Sequence, residues 1–336
     1  MTFVRYSLCL CLAWTALSGC GQKAPVVPPD PGSLIVVSDP PGASVQINGR
    51  PAVGPSGQAV VTPDTLELAP GTYRVSVWLD GYGGTPQTED AVVTSSEPTV
   101  AAFCLRLTSA LTARVVLVEH FSNVDCPPCG PAEVVLNEFQ ESTGYDRVIS
   151  IGYRTSFPWS RDPLRLENPA VHDGRAAYYN IPSAPTVVLD GTLRRSDELL
   201  DPPEDLFAAA ESVPAGFSID VTSALDGQTY SARATVVALE CPQADDLVIH
   251  FALVEREVSV LSSLGVERLV HNVVRDMLPG VSGQAFSAAF GETLTFERQR
   301  VLDPGWAAGE IETIVFIQSE STQEILQSAS TFVATP

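Results

Sequence analysis

Two cysteines separated by two prolines, Cys126-Pro127-Pro128-Cys129, carry the strongest chemical signal in this 336-residue chain. A pair at this spacing can close on itself, bind a metal or exchange with another disulfide, and its surroundings decide which. The pair follows residues 115–118, a continuous apolar run of buried-strand type. It opens a predicted helix over 126–139, where Ala132, Val135, Leu136 and Phe139 recur at helical spacing. A thiol at a helix N-terminus meets the positive end of the dipole, which lowers its pKa and favours the thiolate. The second thiol, one turn on, can resolve a mixed disulfide. A closed, inert structural disulfide is the alternative. Zinc needs four ligands, and no second Cys or His pair stands at ligand spacing. His120, His172, His250 and His271 are scattered, and Glu204-Asp205 and Asp245-Asp246 read as solvated loop charge. No organic cofactor or metal is called for.

The elements around the pair order as strand, helix, strand, long connection, strand, helix. The later strands are 148–151 and 186–189, the latter ended by Asp190-Gly191, and the last helix covers 206–213. This is an α/β domain over 112–214. Flanking it are two regions of short alternating strands. In 33–108, Val45-Gln46-Ile47 runs into the hairpin signal Asn48-Gly49, and 73–79 and 99–105 alternate. In 215–336, about seven strands, among them 217–221, 230–239, 247–254, 293–297 and 313–317, suggest an immunoglobulin-like sandwich. The expected fold is therefore multidomain: β-sandwich, α/β domain, β-sandwich.

Three resemblances add to this reading. The Cys pair, with Tyr179, Ile181, Pro185, Thr186 and Gly191 in YNIPSAPTVVLDG, resembles the thioredoxin family and the segment around its cis-proline. That likeness implies a thioredoxin-like domain with Cys126 as nucleophile and Cys129 as resolving thiol. It also implies a cis Pro185 packed against the pair, and a backbone at Ala184 that binds the substrate strand. It matches Glu119 to the family's buried proton-shuttling carboxylate, with His120 the rival one residue along. Asp125 stands where thioredoxins carry Trp. Its charge, and the two prolines without N–H groups, oppose thiolate formation at Cys126. The run SDPPGASVQING, with LAPGTYRVSVWLDGY, resembles the PEGA domain, a structural or adhesive module. From about residue 115 onward, with FALVEREV and LVHNVVRDMLPG, the chain resembles the twenty-eight-kilodalton outer-membrane-protein family of lipoproteins.

The N-terminus reads as an address. A short apolar core over 6–16 precedes Leu17-Ser18-Gly19-Cys20, which resembles the lipobox of bacterial lipoproteins. That likeness implies a signal peptide over 1–19, lipidation of Cys20 with palmitate-type chains, and an anchored protein of the cell envelope. Gly21 implies the outer membrane. An ordinary secretory signal with a chance cysteine is the other reading. The Pro-rich stretch 20–32 is an expected solvated tether.

Charge excludes one class of partner. Arg plus Lys number 19 against 40 acidic residues, a net −21 with no basic run, so no nucleic-acid binding is expected. Cysteine counting leaves Cys104 and Cys241, either bridged or buried separately as thiols. The expected partners are exported protein thiols or disulfides, and the membrane through Cys20. A reductase in an oxidising compartment also requires a redox partner protein. The leading expectation is thiol-disulfide exchange on exported proteins. The alternative is a non-catalytic surface or adhesion lipoprotein that uses the α/β domain as scaffold.

Overall fold

A computed structural model describes residues 29–106, 112–196, 203–239, 246–263 and 265–332. The expected signal peptide, the expected lipidation position Cys20, most of the expected tether and Cys241 lie outside the described residues. Cys104 is disulfide-bonded.

The first module holds β1 (Gly32–Asp39), β2 (Ser44–Ile47), β3 (Arg50–Pro51), β4 (Asp64–Leu68), β5 (Gly71–Leu79), β6 (Tyr82–Val93) and β7 (Thr99–Cys104). Two sheets, ordered β4-β1-β7 and β3-β2-β5-β6, enclose a core that includes Leu34, Val36, Val45, Val75, Val77 and Phe103. The β2–β3 turn forms where Asn48 and Gly49 take φ of 51° and 75°. Both values suit the residue types that hairpin turns of this kind select.

The second module contains β8 (Val116–Ser122), α1 (Cys129–Thr143), β9 (Val148–Arg154), α2 (Pro163–Glu167), α3 (Pro169–Tyr178), β10 (Thr186–Leu189), β11 (Leu193–Arg195) and α4 (Glu204–Glu211). The long connection expected between the second and third strands holds α2 and α3. Asp162 caps α2 by accepting from the N–H groups of Leu164 and Arg165. Strand order is β11-β10-β8-β9, with β8 and β9 parallel and β10 antiparallel to β8. Helices α1 and α4 bury Leu136, Phe139 and Phe207 against Val116, Val118 and Leu189 on one sheet face. Helix α3 covers the other face through Val171.

The third module contributes β12 (Phe217–Asp226), β13 (Thr229–Ala238), β14 (Leu247–Leu261), β15 (Glu267–Leu278), β16 (Gln284–Ala285), β17 (Thr293–Val301), β18 (Ile311–Ser319) and β19 (Ile325–Ser330). The sheet β12-β13-β17 faces β14 and β18 across a core that includes Phe217, Ala234, Phe251, Phe296 and Val315. This module is not separated from the second at 214/215. Strand β15 pairs with β9 through Val273 and Gly152, so one sheet runs β11-β10-β8-β9-β15-β14-β18-β19. Leu117, Phe121, Ile151, Val254, Val274 and Phe316 share one core. The cause is in the strands: β9 and the first half of β14 are apolar and buried on both faces, so each needs cover on both sides. The whole is a β-rich protein of several sheets with one α/β segment set in its longest sheet.

Candidate functional site

The site is built at the end of β8. Asn123 clamps the departing loop: its Nδ2 donates to the carbonyls of Thr155 and Trp159, each at 2.8 Å. Its Oδ1 accepts from the N–H of Asp125 at 3.0 Å. Asp162 accepts the N–H of Val124 at 2.7 Å. Cys126 and Cys129 are disulfide-bonded, with Cα atoms 5.3 Å apart. They are 3% and 0% exposed, so the bond is sheltered rather than presented on a protrusion. Helix α1 begins at Cys129, with Pro128 at the cap, and not at Cys126 as the periodicity predicts. Two successive prolines supply no N–H, so the first turn tightens instead and the N–H of Cys129 donates to the carbonyl of Cys126 at 3.2 Å.

The loop before β10 meets this pair. Cys126 Sγ lies 3.7 Å from the carbonyl oxygen of Ala184, and the Ala184–Pro185 peptide is cis. Thr186 Oγ1 donates to the carbonyl of Ser183 at 2.8 Å and tightens the same loop. Residues 58 positions apart are thus in contact because β10 pairs with β8, placing Thr186 opposite Phe121.

Glu119 is not beside the cysteines. Strand alternation turns Leu117, Glu119 and Phe121 toward α3, and Val116, Val118, His120 and Ser122 toward α1. Glu119 is buried completely and accepts Arg175 Nε and Nη2 at 2.8–3.0 Å and the Tyr179 hydroxyl at 2.6 Å. Arg175 Nη1 also reaches Gln318 Oε1 of β18 at 3.1 Å. This network ties the second module to the third. It corrects the expected place of Glu119 near Cys129: Glu119 faces α3, while His120, one residue along, lies on the α1 side of β8 beside Glu133 and Arg154.

A second polar cluster, which sequence reasoning missed, lies on the α1 side. Glu133, four residues after Cys129, accepts Arg154 Nη1 at 2.5 Å and the hydroxyl of Ser122. Burial pushes the Glu133 carboxyl up, but Arg154, His120 and the hydroxyl of Ser122 outweigh it and hold the group below its usual range. His120 is held neutral to about pH 4, chiefly by burial, with Arg154 and His271 adding to the effect and Glu133 opposing it. His172 accepts the Arg154 N–H at 3.1 Å and falls to about 3, first through burial and then through the Arg154 charge. The signal that could have found Glu133 is its position: a carboxylate at i+4 from Cys129 shares that residue's helix face.

The third module reaches the site as well. Asp125 Oδ1 accepts the N–H of Ser263, at the tip of the β14–β15 hairpin, at 3.0 Å. A cavity of about 410 Å³ opens between α1 (Gly130, Glu133, Val134) and β15 (Glu267–Val270). Leu261, Val266 and Leu269 of this hairpin are exposed.

Comparison with known proteins places part of the chain. Residues 31–96 match the PEGA domain. No curated protein matches the chain by sequence. Among solved structures, HBP35 of Porphyromonas gingivalis aligns with a TM-score of 0.54 at 15% identity, covering 67% of this chain and 80% of that one. A protein of Agrobacterium tumefaciens aligns at 0.45 and 16% identity, covering 67% of this chain and 96% of its own. A domain of the outer membrane lipoprotein Omp28 from Porphyromonas gingivalis aligns at 0.26 and 14% identity, over 34% of this chain and 86% of that domain. At these identities the first of the three speaks for the fold alone.

Proposed function

We propose that this chain is a lipid-anchored thiol-disulfide oxidoreductase of the cell envelope, probing exported proteins through Cys126 and Cys129 in a thioredoxin-like segment. The observation that carries the reading is the contact between Cys126 Sγ and the Ala184 carbonyl at 3.7 Å. A substrate strand lying along residues 183–185 would set its own sulfur against Cys126, with backbone hydrogen bonds giving affinity regardless of sequence. The strand order β11-β10-β8-β9 around α1 supports the same assignment. In the reaction, the Cys126 thiolate attacks a substrate disulfide and releases one substrate thiolate. Cys129 then attacks Cys126, restoring the protein disulfide and releasing the second substrate thiol. Pro185 and Ala184 position the strand. Glu119, paired with Arg175, holds the sheet together in this reading and moves no proton.

The test is trapping. The mature-length chain carrying Cys129→Ser should accumulate covalent mixed disulfides with envelope proteins, released by reductant, while the parent reduces a model protein disulfide. Neither a trapped adduct nor parental reductase activity would leave a non-catalytic surface lipoprotein, a reading that the PEGA match favours.

A further inference from the structure

We propose that Glu133, held by Arg154 and Ser122, accepts the proton of Cys129 during resolution of the mixed disulfide, the task that the sequence resemblance assigns to Glu119. The inference rests on the redox reading above and names the acid-base group of that same site.

Three observations place the carboxylate. Cys129 and Glu133 are i and i+4 on the buried face of α1. Side chains of a helix lean toward its N-terminus, so Glu133 covers the turn that begins with Cys129. Its partners Ser122 and Arg154 are the last residues of the parallel neighbours β8 and β9, and the cysteine loop departs from the end of β8. The carboxylate is therefore drawn to the cysteine end of α1 from two directions. Glu133 is 7% exposed, and its Oε2 is buried with no hydrogen-bond partner among the described residues. That oxygen is the one left open to a transient proton, while Oε1 is held by Arg154 and Ser122.

The charged surroundings fit a transient acceptor. Arg154 faces Glu133 from β9 and His120 faces it from β8, while Glu267 and Arg268 of β15 line the adjoining cavity. The Arg154 charge also acts on His172 and Asp162 beyond it, and His271 acts on His120. With Arg154 beside it, Glu133 starts ionised and holds a proton only briefly. The Cys129 S–H bond breaks and its proton passes to Glu133 Oε2. The thiolate forms the Cys126–Cys129 bond, the bond between Cys126 and the substrate sulfur breaks, and the departing substrate thiolate takes the proton from Glu133. The protein dithiol is oxidised by two electrons and the substrate disulfide is reduced.

The experiment is single-turnover reduction of a model peptide disulfide by the reduced full chain, parent against Glu133→Gln, from pH 6 to 9. Formation of the mixed disulfide should be unchanged. Its resolution should slow by about 10- to 100-fold at pH 7, within the range of general-base effects. The deficit should shrink as pH approaches the ordinary thiol value of about 8.5. Equal resolution rates with the same pH profile in an active parent and in Glu133→Gln would overturn this inference alone. An inactive parent would overturn the redox reading beneath it. Should Glu133→Gln not fold, the unsubstituted chain decides: with carbon-13 at glutamate carboxyls, one buried resonance should move on reduction of the pair. No movement would equally refute the role.

Discussion

Restoring one backbone donor at the cysteine loop should acidify Cys126. In the structure the Cys126 sulfur is almost fully buried, and burial alone raises a thiol pKa. The carbonyl of Ala184, 3.7 Å away, is an acceptor and gives a thiolate nothing. Pro127 and Pro128 have no N–H, and the N–H of Cys129 is spent on the carbonyl of Cys126. The dipole of the 15-residue α1 remains as the stabilising influence. We therefore expect the Cys126 thiol to be held up by its burial, far from the value of about 3.5 found in strong oxidants. Pro128→Ala is compatible with the observed φ of −76° and ψ of −15° and returns an N–H to the first turn. A hydrogen bond to a charged group contributes about 1.5–3 kcal/mol, or roughly 1–2 pKa units at full strength. A fall of about one unit is expected, with a shift of the pair of about 30 mV toward oxidising. Ultraviolet thiolate absorbance of the reduced chain reads this directly. A parent pKa near 4, or an unchanged value in Pro128→Ala, would refute the argument.

Other consequences follow from the buried charges and close approaches. Glu119→Gln leaves Arg175 buried without its carboxylate and should cost about 3–5 kcal/mol in urea unfolding. Gly191→Ala should also destabilise, by more than about 2 kcal/mol, because Gly191 has φ of 76° and a Cβ there would sit 1.7 Å from the Gln323 carbonyl oxygen. The β10–β11 turn and the β18–β19 turn would have to part, which intrinsic tryptophan fluorescence during urea titration can follow. His120 and His172 titrate at about 4 and 3 when folded, against an ordinary value near 6.5. The unfolded chain then binds more protons below pH 6.5, so their contribution is complete above that pH and is lost as pH falls through it toward 4 and 3. Asp190, raised to about 6 chiefly by burial, works in the opposite sense between pH 6 and 3.8. Unfolding free energies at pH 7, 5.5 and 4.5 should fall steadily for the parent. A flatter fall is expected for His172→Asn.

How far the sequence carried the account depended on how local each signal was. The Asn48-Gly49 hairpin, the strands at 148–154 and 186–189 and the Cys pair all rest on neighbouring residues, and each stands near where it was read. The register of β8 was ambiguous because that strand is buried on both faces, so alternation left no polar side to fix it. That ambiguity left Glu119 and its rival His120 unresolved, and the structure turns Glu119 to the α3 side. Glu133 and Arg154 escaped notice because each is a lone charge whose partner lies on another element, 21 positions away. The fusion of the second and third modules was invisible for a similar reason. It runs through contacts between distant residues: the shared core of Leu117, Val254 and Phe316, the Arg175–Gln318 contact and the Val273–Gly152 pairing, where the imidazole of His120 packs so closely over Gly152 that a Cβ there would lie 2.7 Å from it.

The midpoint potential of the Cys126–Cys129 pair, measured at equilibrium against a glutathione or dithiothreitol buffer, tests the account most directly. Pairs that exchange with substrates lie at about −120 to −270 mV, and this chain should fall near the reducing end of that range. A pair that stays closed to below about −300 mV would be a structural bond, and the oxidoreductase assignment would be wrong.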